Sequence, residues 1–227
     1  MTNSVASDTT IHLSNAVVAL GGFPALAGVT FGVGRGELVA LRGANGTGKS
    51  TLLRLCAGLV PLTRGAAVVA GVDLLVNRVA VRPHVGLLGH RNGLYGDLTA
   101  KQNVQFVADL VGATASDVSS ALERLGIDQR IASTQASLLS AGQRRRTALA
   151  ALVVRRAQLW LLDEPHAGLD AAARRELDVI LRDATASGAT VLYTTHEIDQ
   201  VVGTPRTITL DGGCVASDVA STIGSAR

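Results

Sequence analysis

The sequence has little lysine: Lys49 and Lys101 stand alone, and the other basic residues are arginines. It has two cysteines, Cys56 and Cys214, with neither a disulfide framework nor metal-ligand spacing, so both read as reduced thiols. A net charge of +3 over 227 residues is too weak a basic excess to indicate nucleic acid binding. Arg144-Arg145-Arg146 reads as a solvated or phosphate-proximal helix face. Apolar runs such as Trp160-Leu161-Leu162 fall far short of the roughly 20 residues needed to span a bilayer. Residues 1–10 lack the basic start and apolar core of a signal peptide. These absences point to a cytosolic setting, with any membrane contact made through a partner, and 47% hydrophobic residues suffice for a sizeable core.

What is present centres on Leu38 to Leu55. An apolar run enters Gly43-Ala44-Asn45-Gly46-Thr47-Gly48-Lys49-Ser50-Thr51 and a helical pattern leaves it. Gly43, Gly48, Lys49 and Ser50 fit G-x-x-x-x-G-K-[ST], in which backbone N–H groups and a helix N-terminus cradle a polyphosphate. Lys49 would reach the outer phosphates and Ser50 would hold Mg²⁺.

Strands are expected at Ile11–Leu20 and Val29–Val33, joined by a Gly-Gly-Phe-Pro turn, then at 66–70 and 85–88. From about His90 the texture becomes helical. Thr99 and Gln102 form a capping box before a helix with Val104, Val107 and Val111 on one face, stopped by Gly112. Ser116 is expected to cap a second helix ending at Gly126, and Ser140 a third running through Leu149 and Leu152. Strand and helix alternation then resumes, implying a parallel sheet with crossover helices and a hairpin at Asp211-Gly212-Gly213. The fold class is therefore α/β. The expected division is a nucleotide-binding core at 11–89 and 156–215, a helical subdomain at 90–155, and polar tails at 1–10 and 216–227.

Leu159 to Leu162 form an apolar strand ending in Asp163-Glu164-Pro165. Ligands gather at such strand ends in parallel sheets, so Asp163 is assigned to Mg²⁺ and Glu164 to orienting or deprotonating an attacking water.

Leu139-Ser140-Ala141-Gly142-Gln143 resembles the signature of ATP-binding cassette proteins, with Ala141 in place of its first glycine. Ala167-Gly168-Leu169-Asp170 resembles the D-loop of that family and His196 its switch histidine. The resemblance covers about Ile11 to Leu210 and implies a P-loop NTPase: a RecA-like core with an antiparallel β subdomain and an inserted α-helical subdomain. It implies ATP and Mg²⁺ as ligands, held by Gly43, Asn45, Gly46, Thr47, Gly48, Lys49, Ser50, Thr51 and Asp163. Ser140, Gly142, Gln143 and Asp170 would serve the ATP of a second cassette in a head-to-tail sandwich. Glu164, His196 and His90 are the catalytic candidates. The implied partner is an integral membrane permease, with the chain peripheral on the cytoplasmic side of the cell membrane.

Two positions depart from the family pattern. Leu20 stands where an adenine-stacking tyrosine is usual; Phe23 is the nearby aromatic, and a site without stacking is equally open. His90 replaces the usual glutamine, and its imidazole, a poor ligand for Mg²⁺, is expected to contact water near the γ-phosphate. Leu88-Gly89-His90, Asp97-Leu98-Thr99-Ala100 with Asn103, and Leu139 to Arg145 resemble the ATP-binding subunit of the haem exporters of cytochrome c biogenesis. The alternatives are the ATPase subunit of another exporter, for drugs, lipids or polysaccharides, and a soluble cassette ATPase acting on DNA or ribosomes. A nucleotide-binding scaffold without turnover would not require Glu164 and His196.

Overall fold

Strand β1 (Thr9–Leu20) buries Ile11 and Leu13, then Ala16 and Val18, so its alternation slips by one residue. The slip falls at Asn15, whose φ of 48° accompanies a register shift against β2 (Phe23–Gly34). An extra residue there keeps both halves of the strand facing the core. The structure, a computed structural model, describes residues 9–195 and 205–220. Leu20 pairs with Phe23, so the hairpin turn is Gly21-Gly22 alone and Phe23-Pro24 open β2, a correction to the four-residue turn expected from sequence. Proline is tolerated there because β2 is an edge strand of the antiparallel sheet β2-β1-β4-β5, with β4 at Arg64–Val69 and β5 at Val72–Asp73.

The second sheet has the order β10-β9-β3-β8-β7-β6: β3 at Leu38–Arg42, β6 at Val85–Leu88, β7 at Leu159–Leu162, β8 at Thr190–Thr194, β9 at Arg206–Asp211 and β10 at Cys214–Val219. Strands β9, β3, β8, β7 and β6 run parallel, and β10 closes the edge antiparallel. β10 continues past the expected tail boundary at 216 because Asp218 pairs with Ile208 and its carboxylate meets Arg206 at 2.6 Å. Thr9 and Thr10 likewise belong to β1 rather than to a tail.

Every residue of β7 is buried, on alternating sides. Leu159 and Leu161 enter the core shared with helix α1 (Lys49–Cys56) and the antiparallel sheet; Trp160 and Leu162 enter the core shared with the helices. Two-sided burial explains the unbroken apolar run of a central parallel strand, each large side chain contributing about 1.5–3 kcal/mol.

After the short helix α2 (Leu74–Asn77), the helical block comprises α3 (Ala100–Val111), α4 (Ala115–Arg124), α5 (Gln129–Ala132) and α6 (Ala141–Arg155), between β6 and β7. α7 (Ala171–Ala186) crosses from β7 to β8. The capping box of Thr99 and Gln102 forms as expected, and Gly112 ends α3 at φ 70°. Val111, however, is exposed. α4 is capped by Thr114, not Ser116, because Asp117 three residues on returns a bond to the Thr114 N–H at 2.9 Å.

Candidate functional site

The loop before α1 is shaped by close approaches that exclude side chains. At Gly48, φ 101°, a Cβ would lie 2.5 Å from the Ala25 carbonyl oxygen; at Gly43, φ 143°, it would lie 2.4 Å from that of Leu210. Both strand ends therefore press on the loop, and glycine alone fits. α1 starts with Gly48 as its cap, no side-chain capping bond and no acidic residue in its first turn, which suits an anion at its N-terminus. Lys49 is buried, its Nζ donating to the Gly43 and Ala44 carbonyls at 2.8 and 2.9 Å. Thr47 is also buried and donates to the Ala44 carbonyl, while Asn45 and Gly46 are exposed and Thr51 is half-buried.

The carboxylate pair lies beside this loop, as expected. Ser50 Oγ donates to Asp163 Oδ2 at 2.8 Å, and Thr194 Oγ1 donates to Asp163 Oδ1 at 2.9 Å. The Glu164 N–H donates to the same Thr194 hydroxyl at 2.8 Å. Thr194, at the end of β8, thus braces both acidic residues, a role that nothing in its sequence neighbourhood marks. The Ser50–Asp163 pair offers two hard oxygen donors, the chemistry Mg²⁺ selects when phosphates and water supply the rest. Glu164 has φ 49°, a left-handed backbone rare outside glycine.

His90 follows β6, where the Asp163 N–H donates to the Leu88 carbonyl at 2.7 Å, so its loop abuts the carboxylate turn. Its side chain is exposed. His196 lies outside the described residues. Leu20 and Phe23 are both exposed, Phe23 at 78%.

At the signature, Ser140 Oγ accepts from the Gln143 N–H at 3.2 Å and Gln143 Oε1 accepts from the Ser140 N–H at 2.9 Å. A Cβ on Gly142 would lie 2.9 Å from the Gly168 carbonyl oxygen, so this glycine admits the D-loop. Ser140, Gly142, Gln143, Gly168 and Asp170 line a concavity of about 220 Å³, and none of residues 43–51 contributes to it. Asp170 caps α7, and its bond from the Ala173 N–H holds its carboxyl below the usual range. The structure thus brings Lys49, Ser50, Asp163 and Glu164 together and keeps the signature group apart from them.

The arginine triplet is not a solvated face. Arg145 is buried at 5% exposure, and Arg144 and Arg146 are half-buried and donate to the Leu139 and Gly126 carbonyls. Burial pushes the Arg145 pKa down, while the charges of Asp163 and Glu164 oppose that shift. Between the helical block and the core, Leu87, Tyr95, Phe106, Leu110, Leu152 and Arg155 line a groove of about 420 Å³.

A family profile described as ABC transporter matches residues 26–167. The chain is 40% identical over 212 residues to the cytochrome c biogenesis ATP-binding export protein CcmA of Alkalilimnicola ehrlichii, covering 87% of this chain and 88% of that protein. It is 35% identical over 197 residues to the probable multidrug ABC transporter ATP-binding protein YbhF of Escherichia coli, covering 85% of this chain but 34% of that protein's length. The dimeric structure of MJ0796, a bacterial ABC transporter cassette, superposes with a TM-score of 0.81 at 25% identity, covering 92% of this chain and 97% of that one.

Proposed function

The chain belongs to the ABC transporter family and is an ATP hydrolase of it, and we propose that it powers an export permease of cytochrome c maturation, with haem as the cargo. The cargo assignment rests on the likeness to the CcmA protein along nearly the whole of both chains. The multidrug reading remains as the second, because YbhF matches almost as much of this chain.

The observation that carries the chemistry is the chain of bonds from Ser50 through Asp163 to Thr194 and on to the Glu164 N–H, beside the phosphate loop. In this reading Lys49 and the N-terminus of α1 bind the outer phosphates. Ser50 and Asp163 hold Mg²⁺, which supplies neutralising charge to the phosphates. Glu164, fixed at its backbone by Thr194, accepts the proton of the attacking water, and His90 contacts water at the γ-phosphate side. His196 is assigned the switch role by its place in the family's motif order. Ser140, Gly142, Gln143 and Asp170 present their helix ends to ATP on a second cassette, giving two composite sites per pair.

The helical block 90–155 is read as the unit that meets the permease, and the groove between it and the core is the proposed seat for a cytoplasmic helix of that permease. Exposed Tyr95, Phe106 and Leu110 give it an apolar lining suited to such a helix. Among the described residues no helix is long and apolar enough to cross a membrane. A peripheral position on the cytoplasmic side belongs to the same proposal and rests on the permease partner.

Glu164→Gln tests the reading. Hydrolysis should fall by about 10²-fold or more, the scale of a lost general base, while ATP binding persists and ATP accumulates a dimer. Normal turnover in this variant would move the catalytic role elsewhere. Co-purification with the haem-export permease rather than a multidrug permease decides the cargo.

A further inference from the structure

Arg145 lies on the second turn of α6, five residues past the signature serine, and among the described residues its guanidinium bonds to two segments beside the proposed catalytic site. Nη2 donates to the carbonyls of Asp163 and, at 2.8 Å, Glu164; Nε donates to that of Pro165 at 3.4 Å. Nη1 donates to the Gly89 carbonyl at 2.9 Å and to Asn92 Oδ1 at 3.1 Å, one residue before and two after His90. A planar fork of five N–H donors can serve two loops at once; an ammonium, a compact point charge, cannot span them. The Glu164 backbone, held left-handed, is a conformation that persists only where its surroundings over-determine it. Thr194 fixes the Glu164 N–H on one side, and Arg145 fixes the carbonyls on the other. A buried cation is costly to desolvate, and a residue serving only to pack α6 would avoid that cost by being apolar.

We propose that Arg145 is a positioning residue for hydrolysis: its guanidinium fixes the turn that aims the Glu164 carboxylate and ties that turn to the loop bearing His90, so that the signature helix and the catalytic turn move as one piece. This rests on the reading of Glu164 as the group that activates water. Because the same helix carries Ser140 at its start, displacement of the signature by a partner's ATP would be felt at this chain's own Glu164.

The test compares Arg145→Lys and Arg145→Gln with the unmodified protein and with Glu164→Gln, measuring kcat, KM for ATP, ATP-induced dimerisation and thermal midpoint. Arg145→Lys should lower kcat about tenfold and Arg145→Gln about 100-fold, with KM changed less than about twofold, since positioning acts in the transition state rather than on binding. Both should accumulate a dimer with ATP, as Glu164→Gln does. Unchanged kcat with a lowered thermal midpoint would reduce Arg145 to a packing role, and loss of the ATP dimer would show that it seats the signature instead; either overturns the proposal. If the Arg145 variants do not fold, Asn92→Ala removes one acceptor from a half-buried loop residue and should lower kcat about twofold or more at constant KM. An unaltered kcat there would refute the tie to the His90 loop. Normal turnover in Glu164→Gln would instead remove the reading beneath it.

Discussion

The phosphate-loop end and the signature end of this chain both present a helix N-terminus, but only the first has its cation, hydroxyl and carboxylate complete within the chain. α1 has a glycine cap and no acidic residue in its first turn; it opens with the buried Lys49 and with Ser50, whose hydroxyl meets the Asp163 carboxylate braced by Thr194. α6 begins with Ser140 and Gln143 bonded to each other, and its concavity is walled by Gly168 and Asp170 with no residue of the phosphate loop. In the proposed reading each ATP site joins the first end of one chain to the second end of another. The difference favours assembly with a second cassette, because the missing half of the signature site is what the phosphate-loop end of another copy would bring.

The comparison breaks most directly at Ser140. Ser140→Arg places a long charged side chain in the concavity while leaving residues 43–51 untouched, so ATP-driven dimerisation and turnover should both be lost, with hydrolysis down by about 10²-fold or more as for a missing donor to developing charge. Nucleotide binding by the monomer should be unaffected. Equilibrium titration with ATP, light scattering and phosphate release measure the three; full activity in a monomer would sink the two-cassette arrangement.

The complementary change, Lys49→Ala, strikes the complete end. Charge-assisted hydrogen bonds contribute about 1.5–3 kcal/mol, so ATP affinity should fall by roughly 10- to 100-fold. The thermal midpoint should move little, because the ammonium bonds only loop carbonyls that water can satisfy. Calorimetric titration showing unchanged affinity would remove Lys49 from phosphate binding.

The two ends were not equally legible in the sequence. The phosphate loop, the Asp163-Glu164 strand end and the signature cap are contiguous, and each spacing carries its own physical reason, so their places followed from the residues. Thr194 and Arg145 escaped because their roles depend on contacts 31 and 18 residues away with Asp163, and no local spacing marks a long-range partner. A run of three arginines reads as polar surface unless the face of α6 is known; only the middle one turns into the core. The cap at Thr114 rather than at the expected Ser116 has the same kind of cause, since it depends on which hydroxyl residue finds a reciprocal acidic side chain three positions on. The strand β10 was shortened because its residues beyond Val215 are mostly exposed, and pairing rather than apolar pattern holds them.

The smallest expected effect concerns how firmly the complete end is rooted. Cys56, the last residue of α1, is fully buried, and burial pushes its thiol from 9.0 up to about 12. In the unfolded chain the thiol loses its proton near 9.0, whereas the folded protein keeps it to about 12. Between those values the folded state binds more protons, so stability falls as pH rises through the window. At pH 10, one unit into it, the loss from this residue is about 1.4 kcal/mol. Tyr193, also raised to about 12 by burial but from 10.0, adds its loss mainly above pH 10, so measurements between pH 8 and 10 isolate the thiol. Cys56→Ala will lower stability at every pH by leaving a small cavity, yet it should lose about 1.4 kcal/mol less than the unmodified protein between pH 8 and 10. Urea unfolding at the two pH values gives the difference of differences. Equal losses in the two proteins would mean that the thiol reaches solvent as a thiolate and that the far end of α1 is looser than its burial states.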